Sequence, residues 1–129
     1  MPEKQVIRTE SAPGPFQGAP YNQAIRVGDL VFVAGQLGVQ LGSGELAGPS
    51  VADQTHQIMK NMGAILDAGG SSLDKLVKTT IYLIDLGEFA EMNDVYAQYV
   101  GDAPPARATI EIGALPTGAR IEIEAIAHV

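Results

Sequence analysis

Arg107-Ala108-Thr109-Ile110-Glu111-Ile112 and, after Leu115-Pro116, Arg120-Ile121-Glu122-Ile123-Glu124-Ala125-Ile126-Ala127 are the stretches on which the fold turns. Apolar residues alternate with polar ones, the period of half-buried strands. The pattern predicts two short strands joined by a tight connection. In the first, Arg107, Thr109 and Glu111 share one face and Ala108, Ile110 and Ile112 the other. In the second, Ile121, Ile123, Ala125 and Ala127 point one way, and Glu122, Glu124 and Ile126 the other.

Upstream, the chain punctuates itself. A short first strand is expected over residues 5–8. A proline- and glycine-rich loop follows over residues 9–20. Gln23 to Val27 and Leu30 to Ala34 flank Gly28-Asp29 and predict a hairpin. Ser50 is placed to cap a helix. Val51, Thr55, Ile58, Met62, Ile65 and Leu66 form its apolar stripe, and Gly69-Gly70 end it. Leu76 to Ile84 predicts a strand rich in β-branched residues. Asp85-Leu86-Gly87-Glu88 repeats the cap pattern before a second helix, whose stripe is Phe89, Met92, Tyr96 and Tyr99. Gly101 to Pro105 stop it.

The order is strand, strand, strand, helix, strand, helix, strand, strand. It predicts one α+β domain over residues 1–129, a single mixed sheet with two helices on one face. Strict alternation would make Leu76–Ile84 apolar on both sides, with Val77, Ile81 and Leu83 opposite Leu76, Tyr82 and Ile84. A strand dry on both sides needs cover on the face without helices. A second copy of the chain is the simplest cover, so an oligomer is expected.

Composition narrows the chemistry. The chain has 129 residues, no cysteine, two histidines and a net charge of −7. Cysteine-based zinc sites, disulfides and thiol nucleophiles are excluded. The charge disfavours a nucleic-acid partner, because no basic patch offsets it. Met1-Pro2-Glu3-Lys4-Gln5 lacks the apolar run of a secretory leader. No apolar run approaches the ~20 residues of a membrane helix. A cytoplasmic protein without a membrane partner is the expectation. His56 and His128 are expected to be ordinary surface residues. No metal-ligand spacing, phosphate-binding glycine loop or nucleophile elbow is present.

Arginine, glutamate and tyrosine remain. Arg107 follows Pro104-Pro105-Ala106, whose prolines fix an extended lead-in to the strand. A guanidinium grips a carboxylate through two N–H groups, and a nearby glutamate can orient water or move a proton. The same residues also suit a plain half-exposed strand, with Arg107 bridged to Glu122 or Glu111. Tyr21 suits a core cap or a ligand contact. Asn93, at the edge of the second helix's stripe, suits a structural or a pocket hydrogen bond.

Pro105–Ile112, Ala114-Leu115-Pro116 and Ile121–Ala127 resemble the C-terminal motif of the RidA (YjgF-type) reactive-intermediate deaminases. Ala19-Pro20-Tyr21-Asn22-Gln23-Ala24, Gly28 to Gln36, Gln54 to Met62, Val77-Lys78-Thr79-Thr80 and Met92-Asn93-x-x-Tyr96 extend the resemblance over nearly the whole chain. It implies a chorismate-mutase-like fold and a homotrimer with sites between subunits. The implied reaction is hydrolysis of enamine or imine intermediates, such as 2-aminoacrylate, to 2-oxo acids and ammonia without a cofactor. Arg107 matches the carboxylate-binding arginine and Glu122 the residue that positions water. Tyr21, Gly35 and Asn93 match pocket residues. Ala34 and Ala108 depart from serines common in the family, and Thr109, also placed at the substrate, from a cysteine. The loop before Tyr21 is longer. These departures bear on pocket size and substrate preference. A branch of the family that only binds ligands or proteins is the alternative. A ribonuclease activity attached to some relatives is disfavoured by the charge.

Overall fold

In the computed structural model residues 3–129 are described; Met1 and Pro2, part of the stretch read for a leader, lie outside them. The first helix, α1 (Val51–Ala68), shows how local sequence sets its own limits. The Ser50 hydroxyl accepts a hydrogen bond from the Asp53 N–H at 3.0 Å, satisfying one of the helix's free donors. At the other end Ser71 N–H donates to Leu66 O at 2.8 Å and Gly70 N–H to Asp67 O at 3.1 Å. Gly70 sits at φ +82°, so the left-handed residue of this Schellman ending is the second glycine. Between these limits Val51, Thr55, Ile58, Met62, Ile65 and Leu66 are all buried, as their spacing predicts.

The remaining elements follow the predicted order. They are β1 (Lys4–Ile7), β2 (Ala24–Val27), β3 (Leu30–Leu37), β4 (Leu76–Leu83), α2 (Phe89–Val100), β5 (Ala106–Glu111) and β6 (Ile121–His128). They form one mixed six-stranded sheet ordered β1-β2-β3-β6-β4-β5, in which only β4 and β5 run parallel. The first strand lies one residue earlier than expected and β3 runs three residues further. Asp85 caps a single 3-10 turn, Leu86–Glu88, through the Gly87 N–H at 2.8 Å, and α2 starts only after it.

The two C-terminal strands are not neighbours. β4, α2 and β5 form a parallel crossover, which carries β5 to the sheet edge. β6 enters between β3 and β4, where its inward row Ile121, Ile123, Ala125 and Ala127 is buried. Those residues join Val31, Val33, Thr79, Ile81 and Leu83 on the face that meets both helices.

Two bulges break strict alternation. In β4 the pairing steps from Leu76–Ala127 to Lys78–Ile126, leaving Val77 as the extra residue. Leu76 therefore turns toward the core and Val77 is 45% exposed, the reverse of what alternation predicts. In β3 the register steps from Val33–Ala125 to Gln36–Ile123, so Ala34 and Gly35 together oppose Glu124. The helix-free face is apolar in part: Phe32 is 42% and Ile110 46% exposed there.

Two buried glutamines tie loops to this frame. Gln23 accepts from the Thr9 N–H at 2.8 Å and donates to Thr9, Ala12 and Pro13 carbonyls, which pins the loop over residues 9–13. Gln54 donates to Gly48 O at 2.9 Å and accepts from the Arg120 N–H at 2.8 Å. His56 is not a free surface residue. Its Nδ1 lies 2.7 Å from the Tyr99 hydroxyl, joining α1 to α2, because the packed helices bring that flank of α1 against Tyr99. His128 is exposed, as expected, although it still pairs with Leu30.

Candidate active site

The predicted site residues fall into two groups on opposite faces of the sheet. Glu122 lies on the helix-free face of β6, between Leu37 of β3 and Tyr82 of β4. It lines a cavity of about 430 Å³ together with Tyr21, Gly35, Phe16 and Pro116. Gly35 belongs to the β3 bulge, and a Cβ there would stand 2.8 Å from both Cδ and Oε2 of Glu122. Only glycine lets the carboxylate lie so close over the backbone. Burial raises the Glu122 pKa above the ordinary glutamate value, and the nearby Glu124 charge adds to it. Glu124 itself accepts a hydrogen bond from the Tyr82 hydroxyl at 2.8 Å, so the two same-face carboxylates differ in environment.

The Tyr21 hydroxyl accepts from the Phe16 N–H at 2.6 Å, which closes the loop at the cavity mouth. Tyr21 is thus a loop anchor as well as a wall of the cavity. Phe16 and Pro116 each begin a 3-10 turn ending in Gly-Ala, with Gln17 at φ 53° and Thr117 at φ 54°. Neither 3-10 turn is among the elements the sequence predicts. Their shared x-Gly-Ala ending was the available signal.

Arg107 is elsewhere. It pairs in register with Thr79, on the helix-bearing face of edge strand β5. Its guanidinium carbon lies 5.3 Å from the ring centroids of both Phe89 and Tyr96 on α2. The Tyr96 hydroxyl lies 2.7 Å from Thr79 Oγ1. Burial raises the Tyr96 pKa, opposed by that hydrogen bond and by the Arg107 charge. Asn93 lies between the two rings in the α2 sequence, and its Oδ1 is buried without a hydrogen-bond partner. Thr109 lies two residues along β5 from Arg107, on the same face.

Neither salt bridge open to Arg107 in the sequence forms. Glu122 is on the other face. Glu111 instead accepts from the Leu86 N–H at 2.9 Å. The one ion pair among the described residues is Arg120–Glu88, with Nε to Oε1 at 2.6 Å. Arg107 therefore presents an uncompensated cation. One face of the sheet holds a half-buried carboxylate at a cavity walled mostly by apolar residues, and the other a guanidinium set against two aromatic rings. Among the described residues no group of histidine, cysteine or carboxylate side chains is arranged to hold a metal. No described helix is long and apolar enough to cross a membrane.

The family model described as Endoribonuclease L-PSP matches residues 9–129. A RutC family protein of Pyrococcus horikoshii is 47% identical over 125 residues, 97% of this chain and 98% of that protein. The human 2-iminobutanoate/2-iminopropanoate deaminase is 44% identical over 124 residues, 96% of this chain and 89% of that protein. The crystal structure of E. coli TdcF with bound serine superposes with a TM-score of 0.90 at 35% identity, covering 97% of this chain and 98% of that one. With five of its six strands, its bulge glycine beside Glu122 and Arg107 lying within the matched span, this chain belongs to the Endoribonuclease L-PSP family, in its RidA group.

Proposed function

We propose that the chain is a 2-iminobutanoate/2-iminopropanoate deaminase, hydrolysing small 2-imino and 2-enamino acids to 2-oxo acids and ammonia. The observation that carries this reading is the Arg107 guanidinium, which no carboxylate among the described residues pairs with. A substrate carboxylate supplies that partner through paired N–H···O contacts. The enamine tautomerises to the imine. Water held by Glu122 adds to the imine carbon as its proton passes to the carboxylate; the carboxyl returns that proton to the nitrogen, and the amino-alcohol, giving its hydroxyl proton to the departing amine, expels ammonia as the carbonyl forms. Positioning and proton transfer suffice for this step, and no cofactor takes part in it. Pyridoxal-phosphate-dependent dehydratases release such imines, and we read the reaction as taking place beside them, in the cytoplasm.

Opposite faces of one sheet cannot meet across a single substrate. We therefore assign the site to the junction of two copies in a homotrimer of chorismate-mutase-like domains. One copy supplies Tyr21, Gly35 and Glu122, its neighbour Arg107, Asn93 and Thr109. The exposed Phe32 and Ile110 of the helix-free face give such an assembly apolar surface to bury. Support comes from the deaminase name of a 44%-identical relative and from the serine bound to a structural one. An endoribonuclease reading is disfavoured by the charge of −7.

Two measurements test the proposal. Coupled to a threonine dehydratase, the purified chain accelerates imine decay and Arg107→Ala does not; equal rates would end the assignment. Arg107→Ala and Glu122→Gln, each inactive alone, regain about a quarter of the wild-type rate when dissociated and reassembled in equal amounts, because a quarter of the junctions then combine intact halves. No recovery would place both groups in one chain's site.

A further inference from the structure

Arg107 meets rings where an arginine usually meets an acid. Its guanidinium carbon is 5.3 Å from the centroid of Phe89 and 5.3 Å from that of Tyr96, within the range of cation–π attraction. Two acids that its neighbours in the sequence and on the strand offer are held elsewhere. Glu88, which precedes Phe89, is paired with Arg120, and Glu111, on the same strand face as Arg107, is held by the Leu86 N–H. No hydrogen bond among the described residues engages the Arg107 side chain, although β5 and α2 confine it.

The distinction matters chemically. An acid would hold the guanidinium by occupying its N–H donors, and a substrate carboxylate would have to displace it. A ring face attracts the cation as a whole and uses none of its five N–H groups. One ring is itself fixed, since Tyr96 is buried and its hydroxyl contacts Thr79 in β4, the register partner of Arg107.

We propose that Phe89 and Tyr96 form an aromatic cradle that positions the Arg107 guanidinium for substrate while leaving its donors free. The proposal rests on the reading of Arg107 as the carboxylate clamp. Phe89 and Tyr96 are positioning residues in it, acting through Arg107 and not on the reacting atoms.

Phe89 is the one to test, because at 41% exposed it can change without a large loss of core. The probe is 2-oxobutanoate, a stable carboxylate of the product class, titrated calorimetrically, with KM and kcat read from the dehydratase-coupled assay. Phe89→Leu keeps bulk and loses the ring face. It should raise both Kd and KM about three-fold, with kcat little changed, the size expected of one cation–π contact. Phe89→Tyr should restore Kd to within about two-fold. Arg107→Ala should remove most binding, and Phe89→Leu should add nothing further in that background. An unchanged Kd in Phe89→Leu, beside lost binding in Arg107→Ala, overturns the cradle and leaves the clamp standing. Phe89→Leu costing as much without Arg107 as with it also overturns the cradle, since Phe89 would then act on its own. Unaltered binding in Arg107→Ala overturns clamp and cradle together.

Discussion

Gly35→Ala separates the chemistry of the site from the stability of the fold. Gly35 is not among the glycines at positive φ, so its backbone conformation admits alanine. The new Cβ would meet Glu122 Cδ and Oε2 at 2.8 Å, where ordinary contact begins near 3.4 Å. The carboxyl must therefore retreat by about 0.6 Å. The obstructing atoms are the far end of a flexible side chain, so the retreat costs the fold little. Removing a glycine also reduces the entropy of the unfolded chain, by about 0.4–1 kcal/mol in favourable cases. A displacement of 1 Å at a reacting group can cost about a hundred-fold in rate, so a shift of this size should cost about ten-fold. The expected outcome is a ten-fold lower kcat in the dehydratase-coupled assay, with KM within about two-fold because Arg107 is untouched. The thermal midpoint should hold or rise. Wild-type kcat in a folded Gly35→Ala protein would refute the claim that Glu122 acts from the position over the bulge. A matching fall in thermal midpoint would refute the claim that the site tolerates a methyl group.

The raised Glu122 pKa makes a signed prediction. The folded chain keeps that proton to higher pH than the unfolded chain, so stability falls as pH rises from the ordinary glutamate value through the raised one. Glu122→Gln should therefore gain stability over wild type above that window and lose the advantage below it, measured by urea unfolding across pH. The wild-type rate should fall on acidification through the same raised pKa, because the proposed role requires the ionised carboxylate to hold water. Gln54→Ala strands the Arg120 N–H and the Gly48 carbonyl, and should cost about 3 kcal/mol in urea unfolding. Thr117→Asn should add about 1 kcal/mol of stability, since an exposed β-branched residue at φ 54° is replaced by one that tolerates the left-handed region; an unchanged unfolding midpoint would show that the turn stores no strain there.

Local signals carried much of the fold. The Ser50 cap, the apolar stripe of α1 and the Gly69-Gly70 ending act within a few residues of one another, and each forms as its sequence predicts. The inward row of β6 was likewise readable, because its four apolar side chains stay on one face without interruption. Val77 was misplaced because a bulge adds one residue without any local mark. His56 was misread because its Tyr99 partner lies 43 positions away. That β4 separates the two C-terminal strands was unreadable for a related reason: alternation orients a strand's faces but does not identify its neighbour. Phe16 and Pro116 were missed because a cavity wall is a property of loops brought together.

The sequence by itself determined the order of elements, the residue types available for chemistry and, through motifs spread along the chain, the family. Those depend on local backbone preferences and on patterns that survive in one dimension. Only the tertiary structure decided that Arg107 and Glu122 stand on opposite faces of the sheet. That separation depends on the crossover that sends β5 to the edge and on which face of each strand meets the helices, and both are set by long-range packing. The carboxylate over a bulge glycine and the cation between two rings are products of the same packing.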